Sequence, residues 1–258
     1  MLEKDVTVES YDVYPSGILK PSALMRYMQQ LAREDCDALG ATYYYMRSLN
    51  TVFVLTKLGI EFVRPLRSGE TFTLRTFNNS INGVIFDREF ELVSKGETAA
   101  RASTFWTLVR YDTRALVRPK DFPVKFESLG LELRGVEVPR RFDDMGTTET
   151  EIRRVRVSDL DENNHLNNCV YADIALDAIS DFNGLDNWAK SVKIIFRHEA
   201  RLGDELFIFR KNSNGAEFVF ASVGEEKKPC FEAEIVIEDI RRFLNGIFSR
   251  VTSAPYNT

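Results

Sequence analysis

The sequence predicts an α+β protein built from two consecutive copies of one unit: a strand, a long helix and four antiparallel strands. Three observations carry this reading. Amphipathic helical patterns at about residues 21–39 and 167–182 each follow a short β-like run. Each is followed by four runs of β-branched and alternating residues, parted by turn signals. Anchors also recur between the halves. Ile60-Glu61-Phe62 through Arg67-Ser68-Gly69-Glu70 matches Ile194-Ile195-Phe196 through Arg201-Leu202-Gly203-Asp204, and Asn82-Gly83 matches Asn214-Gly215 at nearly the same offset. A strand, a helix and then an antiparallel meander is how a helix wrapped by a curved sheet reads in sequence.

Val6, Val8 and Tyr11 open the chain as a strand, and residues 12–17 form a loop. Pro21 or Ser22 suits the first turn of the first helix. Leu24, Met25, Met28, Leu31, Ala32 and Leu39 give that helix an apolar face, and Gly40 stops it. Residues 43–49 add a shorter helix. Residues 51–63 are apolar and β-branched, a buried strand, and 70–78, 84–93 and 98–111 read as long antiparallel strands. Their turns fall at Arg67-Ser68-Gly69, Asn82-Gly83 and Lys95-Gly96, Asn-Gly being a strong hairpin signal. Residues 112–150 connect the halves, and Pro119, Pro123 and Pro139 break regular structure there.

The second copy repeats the order. It has a strand at 151–157, a polar loop, and a helix carrying Val170, Ile174, Ala175, Ala178, Ile179 and Phe182 on one face up to a stop at Gly184. Strands follow at 191–196, 204–211, 216–223 and 230–238, with turns at Arg201-Leu202-Gly203, Asn214-Gly215 and Gly224. The units are therefore residues 1–130 and 148–258, joined by a linker at 131–147.

Composition narrows the function classes. Hydrophobic residues at 44% and charged residues at 28% of 258 are ordinary for a globular domain with a full core. No run approaches the ~20 apolar residues of a membrane span. The N-terminus lacks a basic segment followed by an apolar one, so no secretory signal is read. Cys36, Cys169 and Cys230 are odd in number and far apart, which argues against a disulfide framework and a zinc site. With two histidines that are not at ligand spacing, no metal is expected. A net charge of −5 argues against nonspecific nucleic-acid binding.

The chemistry concentrates in Asp159-Leu160-Asp161-Glu162-Asn163-Asn164-His165-Leu166-Asn167-Asn168-Cys169-Val170-Tyr171. This run packs carboxylates and one of two histidines into a loop that feeds a helix. Asn167 or Asn168 is a natural N-cap. Backbone N–H groups at the helix start, around Leu166, Asn167, Asn168 and Cys169, suit an oxyanion. No Gly-x-Ser-x-Gly elbow occurs, so a serine hydrolase has no support. The first copy keeps Asp12 where Asp161 stands, but Tyr14 and Ser16 replace Asn163 and His165, and Pro65 falls where Glu199 falls. The acid–base set therefore belongs to the second copy.

The run Asp161-x-Asn163-x-His165-x-Asn167-Asn168-x-x-Tyr171 resembles the signature of acyl-acyl carrier protein thioesterases. Phe196-Arg197-His198-Glu199-Ala200 resembles that family's aromatic-Arg-x-Glu segment. The resemblance covers nearly the whole chain. It implies a tandem double hotdog, two long antiparallel sheets each wrapped on a central helix and joined into one continuous sheet. It also implies catalytic roles for Asp161, Asn163, His165 and Glu199, and hydrolysis of a fatty acyl thioester without a cofactor. Asp161 or Glu199 would activate water or attack directly; His165 would shuttle the proton, and Asn163 would orient the nucleophile or substrate. Many plant relatives carry a cysteine after the glutamate. Here that position is Ala200, which excludes a thiol mechanism there. The absence of a transit peptide looks bacterial and cytoplasmic.

The first half would then form walls for the acyl chain, with Trp106, Phe53, Leu55, Met25 and Met28 as core residues that could line its tunnel. The implied partner is an acidic acyl carrier protein, so binding needs a local basic patch. Arg153, Arg154, Arg156, Arg197 and Arg201 are the candidates. An acyl-CoA thioesterase on the same fold and a non-catalytic acyl-thioester-binding hotdog protein are the alternatives, with hydratase or dehydratase chemistry on this fold a third that fits the motif less well. Monomer and homodimer of tandem repeats are both open. His198 is expected on the face opposite Glu199, because neighbours in a strand point to opposite sides.

Overall fold

The computed structural model describes residues 1–128 and 135–241. The first half supplies β1 (Leu2–Thr7), α1 (Pro21–Ala38), α2 (Tyr43–Ser48), β2 (Thr51–Phe62), β3 (Thr71–Asn82), β4 (Ile85–Ser94) and β5 (Glu97–Arg110). The second supplies β6 (Thr148–Arg154), α3 (Asn168–Asp177), β7 (Asn187–Phe196), β8 (Glu205–Ser213), β9 (Ala216–Val223) and β10 (Lys228–Asp239). The ten strands form one antiparallel sheet in the order β1-β3-β4-β5-β2-β7-β10-β9-β8-β6. Read outward from the centre, the two halves have the same topology, with β2 and β7 equivalent and paired through Leu58↔Ile194 and Ile60↔Val192. That pairing satisfies two strand edges that would otherwise be open.

The inner face of the sheet and the two long helices share one core. Leu24, Met28 and Leu31 of α1 join Leu58, Ile60, Phe72 and Leu74 of the sheet, and Ala172, Ile174 and Ala175 of α3 join Val192, Ile194 and Ile235. Small residues on α3 let it approach closely. The hairpins follow their turn residues. Asn214 (φ 54°) and Gly215 (φ 77°) make a two-residue turn between Ser213 and Ala216, as Lys95 and Gly96 do between Ser94 and Glu97.

Several boundaries differ from the sequence reading. The second long helix ends at Asp177, five residues short of Phe182. The Asn183 side chain accepts from the Leu185 and Asp186 amides and turns the chain, and Phe182 packs edge-on against Tyr14 at 5.2 Å. Its apolar periodicity is thus used outside a helix. The opening strand begins at Leu2 and leaves Tyr11 exposed. The strand expected at 151–157 spans Thr148–Arg154, because Asp159 caps a 3-10 turn by accepting from the Arg156 amide. In the first hairpin the turn residues are Gly83 and Val84, since Asn82 pairs with Ile85. The strand at 191–196 starts earlier, at Asn187, with Trp188 and Ala189 buried.

The connection between halves crosses the outer face of the sheet. Val136 N donates to Ser103 Oγ at 2.7 Å, and Lys57 Nζ to the Val138 carbonyl at 3.0 Å. A Cβ on Gly59 would come within 2.6 Å of Val136 Cγ1, so glycine is what lets this segment lie down on β2. Val138 and Phe142 pack there with Ile195 and Phe220. The expected boundary at 130/131 and the stretch 242–258 lie outside the described residues.

Candidate active site

The polar run folds into a tight loop closed by a bridge between Leu160 and Leu166. Asp161 Oδ1 accepts from the amides of Asn163 (2.8 Å) and His165 (3.3 Å), and the Asp161 amide donates to the His165 carbonyl (2.9 Å). Asn164 takes φ 63°, a conformation that asparagine tolerates. These local bonds explain the Asp-x-Asn-x-His spacing: the aspartate holds the loop that presents the other two side chains. Asn167 caps α3, accepting from the Cys169 amide at 2.9 Å. Tyr171 is buried, with its ring 5.4 Å from Phe196 and 5.3 Å from Phe231, and so anchors the helix start to β7 and β10.

Glu199 arrives from the chain after β7. The Leu166 amide donates to the Ala200 carbonyl at 2.8 Å, which ties the two segments side by side. Glu199 Oε2 then lies 3.3 Å from His165 Nε2 and 2.8 Å from an Arg114 guanidinium nitrogen. A cleft of about 180 Å³ is lined by Asp161, Asn163, His165, Asn168 and Glu199. The first half closes it with residues 52–56 of β2, Tyr111 and Arg114.

Two members of this arrangement escaped the sequence reading. Arg114 sits in a loop after β5, and Tyr43 opens α2 and donates its hydroxyl to Asn163 Oδ1 at 3.3 Å. Neither belongs to a spacing pattern, and the partners lie 85 and 120 residues away in the chain. No sequence signal marked them.

A second cavity of about 190 Å³ adjoins the cleft and shares Val52, Phe53 and Asn163 with it. Most of its walls come from the first half, including Ala32, Met46, Phe86, Trp106 and Phe126, and Glu162 and Asn163 of the second half complete it. Met25, Met28 and Leu55 line a smaller space beside it, together with Trp106 and Cys169.

Three expectations need correction. The Leu166 and Asn167 amides are not free for an oxyanion, since they donate to the Ala200 and Asp159 carbonyls. The Cys169 amide is taken by the cap. Asn168, also in the cleft, has the helix-start amide with no acceptor among the described residues. His198 does not point away from Glu199: β7 ends at Phe196, strand alternation stops there, and Arg197, His198 and Glu199 all line the cleft. His198 Nδ1 is nonetheless engaged with the Pro229 carbonyl at 2.7 Å. Third, the arginines are not equally available for docking. Arg153 is paired with Asp159, and Arg197 with Glu232 and the Arg140 carbonyl, while exposed Arg154, Arg156 and Arg201 carry no ion pair among the described residues.

Cys169 is buried against Gln29, and burial pushes its thiol up to about 12, so it is no ready nucleophile. The matched loop of the first half is packed shut. Asp12 accepts from the Tyr27 hydroxyl at 2.5 Å, and the Tyr14 ring fills the space beside Gly184. Among the described residues no group of three or more His, Cys, Asp or Glu has the arrangement to hold a metal ion.

Comparison with known proteins bears on these features. The family model for the acyl-ACP thioesterase N-terminal domain matches residues 1–123, and that for the acyl-ACP thioesterase C-terminal domain matches residues 143–239. The chain belongs to the acyl-ACP thioesterase family. The family's two domains coincide with the two copies of the fold, and the cleft lies where they meet. Oleoyl-acyl carrier protein thioesterase 2, chloroplastic, from Arabidopsis thaliana is 23% identical over 222 residues, covering 76% of this chain and 59% of the relative. The chain thus spans about three fifths of that relative's length. An acyl-ACP thioesterase from Bacteroides thetaiotaomicron aligns with a TM-score of 0.83 at 20% identity, over 92% of this chain and 97% of the other. The 12:0-ACP thioesterase from Umbellularia californica aligns with a TM-score of 0.78 at 18% identity, over 92% and 97%. These likenesses give the fold, a tandem hotdog.

Proposed function

We propose that this chain hydrolyses the thioester of fatty acyl-acyl carrier protein, releasing free fatty acid and the carrier thiol. The observation that carries the reading is the single cleft that gathers Asp161, Asn163, His165 and Glu199 next to an apolar cavity. Asp161 is the better candidate for proton acceptor or nucleophile. Its Oδ1 is held by two amides and its Oδ2 has no protein partner among the described residues, whereas Glu199 Oε2 is shared by His165 and Arg114. In the water route, Asp161 takes the proton as the water oxygen bonds to the acyl carbon. The Asn168 amide and the Asn163 side chain face the developing oxyanion. Collapse breaks the C–S bond, and His165, held by Glu199, relays to the thiolate the proton that Asp161 took from the water. A thiolate leaves readily, so this proton is less demanding than in amide hydrolysis.

Arg154, Arg156 and Arg201 are the carrier-docking candidates, as exposed cations on the second half. Three free thiols fit a reducing, cytoplasmic setting; among the described residues no helix is long and apolar enough to cross a membrane. Free-thiol release from a panel of acyl-carrier and acyl-CoA thioesters tests the reading. The expected result is turnover of carrier substrates that drops about 10²–10⁴-fold in His165→Ala. Equal rates in the two proteins, or none on any thioester, would overturn it.

A further inference from the structure

The apolar cavity beside the cleft has a polar wall where a hydrocarbon chain would lie. The inward face of β3 runs Phe72, Leu74, Thr76, Asn78, and that of β4 runs Phe86, Arg88, Phe90, Leu92, with Asn78 opposite Arg88 in register. Asn78 and Arg88 both line the cavity. Arg88 is 4% exposed. One terminal nitrogen donates to Asp35 at 2.8 Å and to Thr76 Oγ1 at 3.0 Å; the other meets the Cys36 sulfur at 3.8 Å, a weak acceptor. Asn78 is 8% exposed, and its carboxamide makes no hydrogen bond to protein among the described residues.

A buried ion pair gives the fold little that apolar side chains of like volume would not give. Phenylalanine flanks Arg88 on β4, and leucine and phenylalanine fill the other inward positions of the two strands except Thr76, which itself accepts from Arg88. The polar groups are therefore better explained by what enters the cavity. An uninterrupted hydrocarbon would strip water from the Asn78 amide and the free side of Arg88 and return nothing, a penalty that sites built for hydrogen bonding use to reject apolar analogues. A chain carrying an oxygen at that depth would restore the bonds.

We propose that the cavity selects acyl chains bearing a hydroxyl or oxo group at a carbon removed from the thioester, with Asn78 and Arg88 as the residues that determine this specificity. The idea rests on the thioesterase reading for its substrate class. Asn163 stands at the junction with the cleft, whereas Asn78 and Arg88 belong to the buried wall, so the recognised oxygen lies along the chain and not at the reacting carbonyl.

The test compares carrier-bound acyl thioesters of equal length, either saturated or with one hydroxyl or oxo group at successive carbons. Binding of the matching free acids is measured by calorimetry. Wild-type protein should favour an oxygenated chain at one position by at least about tenfold in kcat/KM. Asn78→Leu, which leaves the Asp35–Arg88 pair intact, should reduce that preference to under about threefold and improve the saturated chain. Saturated chains turned over as well as every oxygenated one by wild type, or an unchanged preference in Asn78→Leu, would overturn the proposal. If no thioester is cleaved while oxygenated acids bind more tightly, and lose that advantage in Asn78→Leu, the hydrolase reading fails and the recognition stands.

Discussion

Arg114 reaches the site from the first half, and replacing it by methionine asks whether the cleft needs both copies. One guanidinium nitrogen lies 2.8 Å from Glu199 Oε2, the oxygen that also stands 3.3 Å from His165 Nε2. The side chains are 37% and 36% exposed, so water screens the pair and its loss should cost the fold no more than about 1 kcal/mol. Turnover should suffer more. A hydrogen bond to a charged group contributes about 1.5–3 kcal/mol, and losing it lets the carboxylate leave His165, which corresponds to about 10- to 150-fold in kcat/KM. Arg114→Met, Glu199→Gln and the double variant would be compared by thiol release and urea unfolding. The unfolding midpoint should barely move in Arg114→Met. In the Glu199→Gln background the same change should cost less than about threefold further, because the two groups act as one unit. A full second loss there, or unchanged kcat/KM in the single variant, would refute the positioning role.

Asp161→Asn keeps an Oδ1 acceptor for the Asn163 and His165 amides, so the loop should stay folded while turnover falls about 10²–10⁴-fold; near-normal rates would remove Asp161 from the chemistry. Cys169→Ala should retain activity within about threefold, and iodoacetamide at neutral pH should leave the wild type active, because burial keeps that thiol protonated. Glu89 gives a stability signature. Burial pushes its carboxyl up to about 7, with the Ser103 hydroxyl pulling the other way and the Asp87 charge adding to the rise. The native state then holds a proton that the unfolded chain, near the ordinary value of 4.5, releases. Its contribution is full below the unfolded value and is lost as pH rises through about 7, with a slope of up to about 1.4 kcal/mol per pH unit. Glu89→Gln should flatten that part of the urea-unfolding profile; an unchanged slope would show that Glu89 is ionised in the fold throughout.

Features that depend on neighbours in sequence were legible from the residues. Asn214-Gly215 makes its turn because both positions need positive φ, a local demand that these two residues meet at low cost. The face of α1 was readable because the residues that bury it recur at helical spacing. The same reasoning overran α3. Ala178, Ile179 and Phe182 keep the spacing, but Phe182 finds its apolar partner, Tyr14, from a turn, and burial does not require that the periodic residues be helical. His198 was misplaced for a related reason: the alternation rule holds only while the strand lasts, and β7 ends two residues earlier.

The sequence by itself determined the tandem order of elements, the position of the acid–base loop and the identity of its four polar side chains. Asp161, Asn163, His165 and the cap Asn167 lie within seven residues, and their bonds to one another are local. Tertiary structure alone decided which carboxylate meets His165, which amide at the helix start stays free, and that Arg114 and Tyr43 complete the cleft. Each of those depends on the β2–β7 pairing and on the Leu166–Ala200 bond, which bring together segments far apart in the chain. A lone arginine in a loop or tyrosine at a helix start carries no trace of its partner, because its energy of interaction exists only once the sheet has closed between the halves.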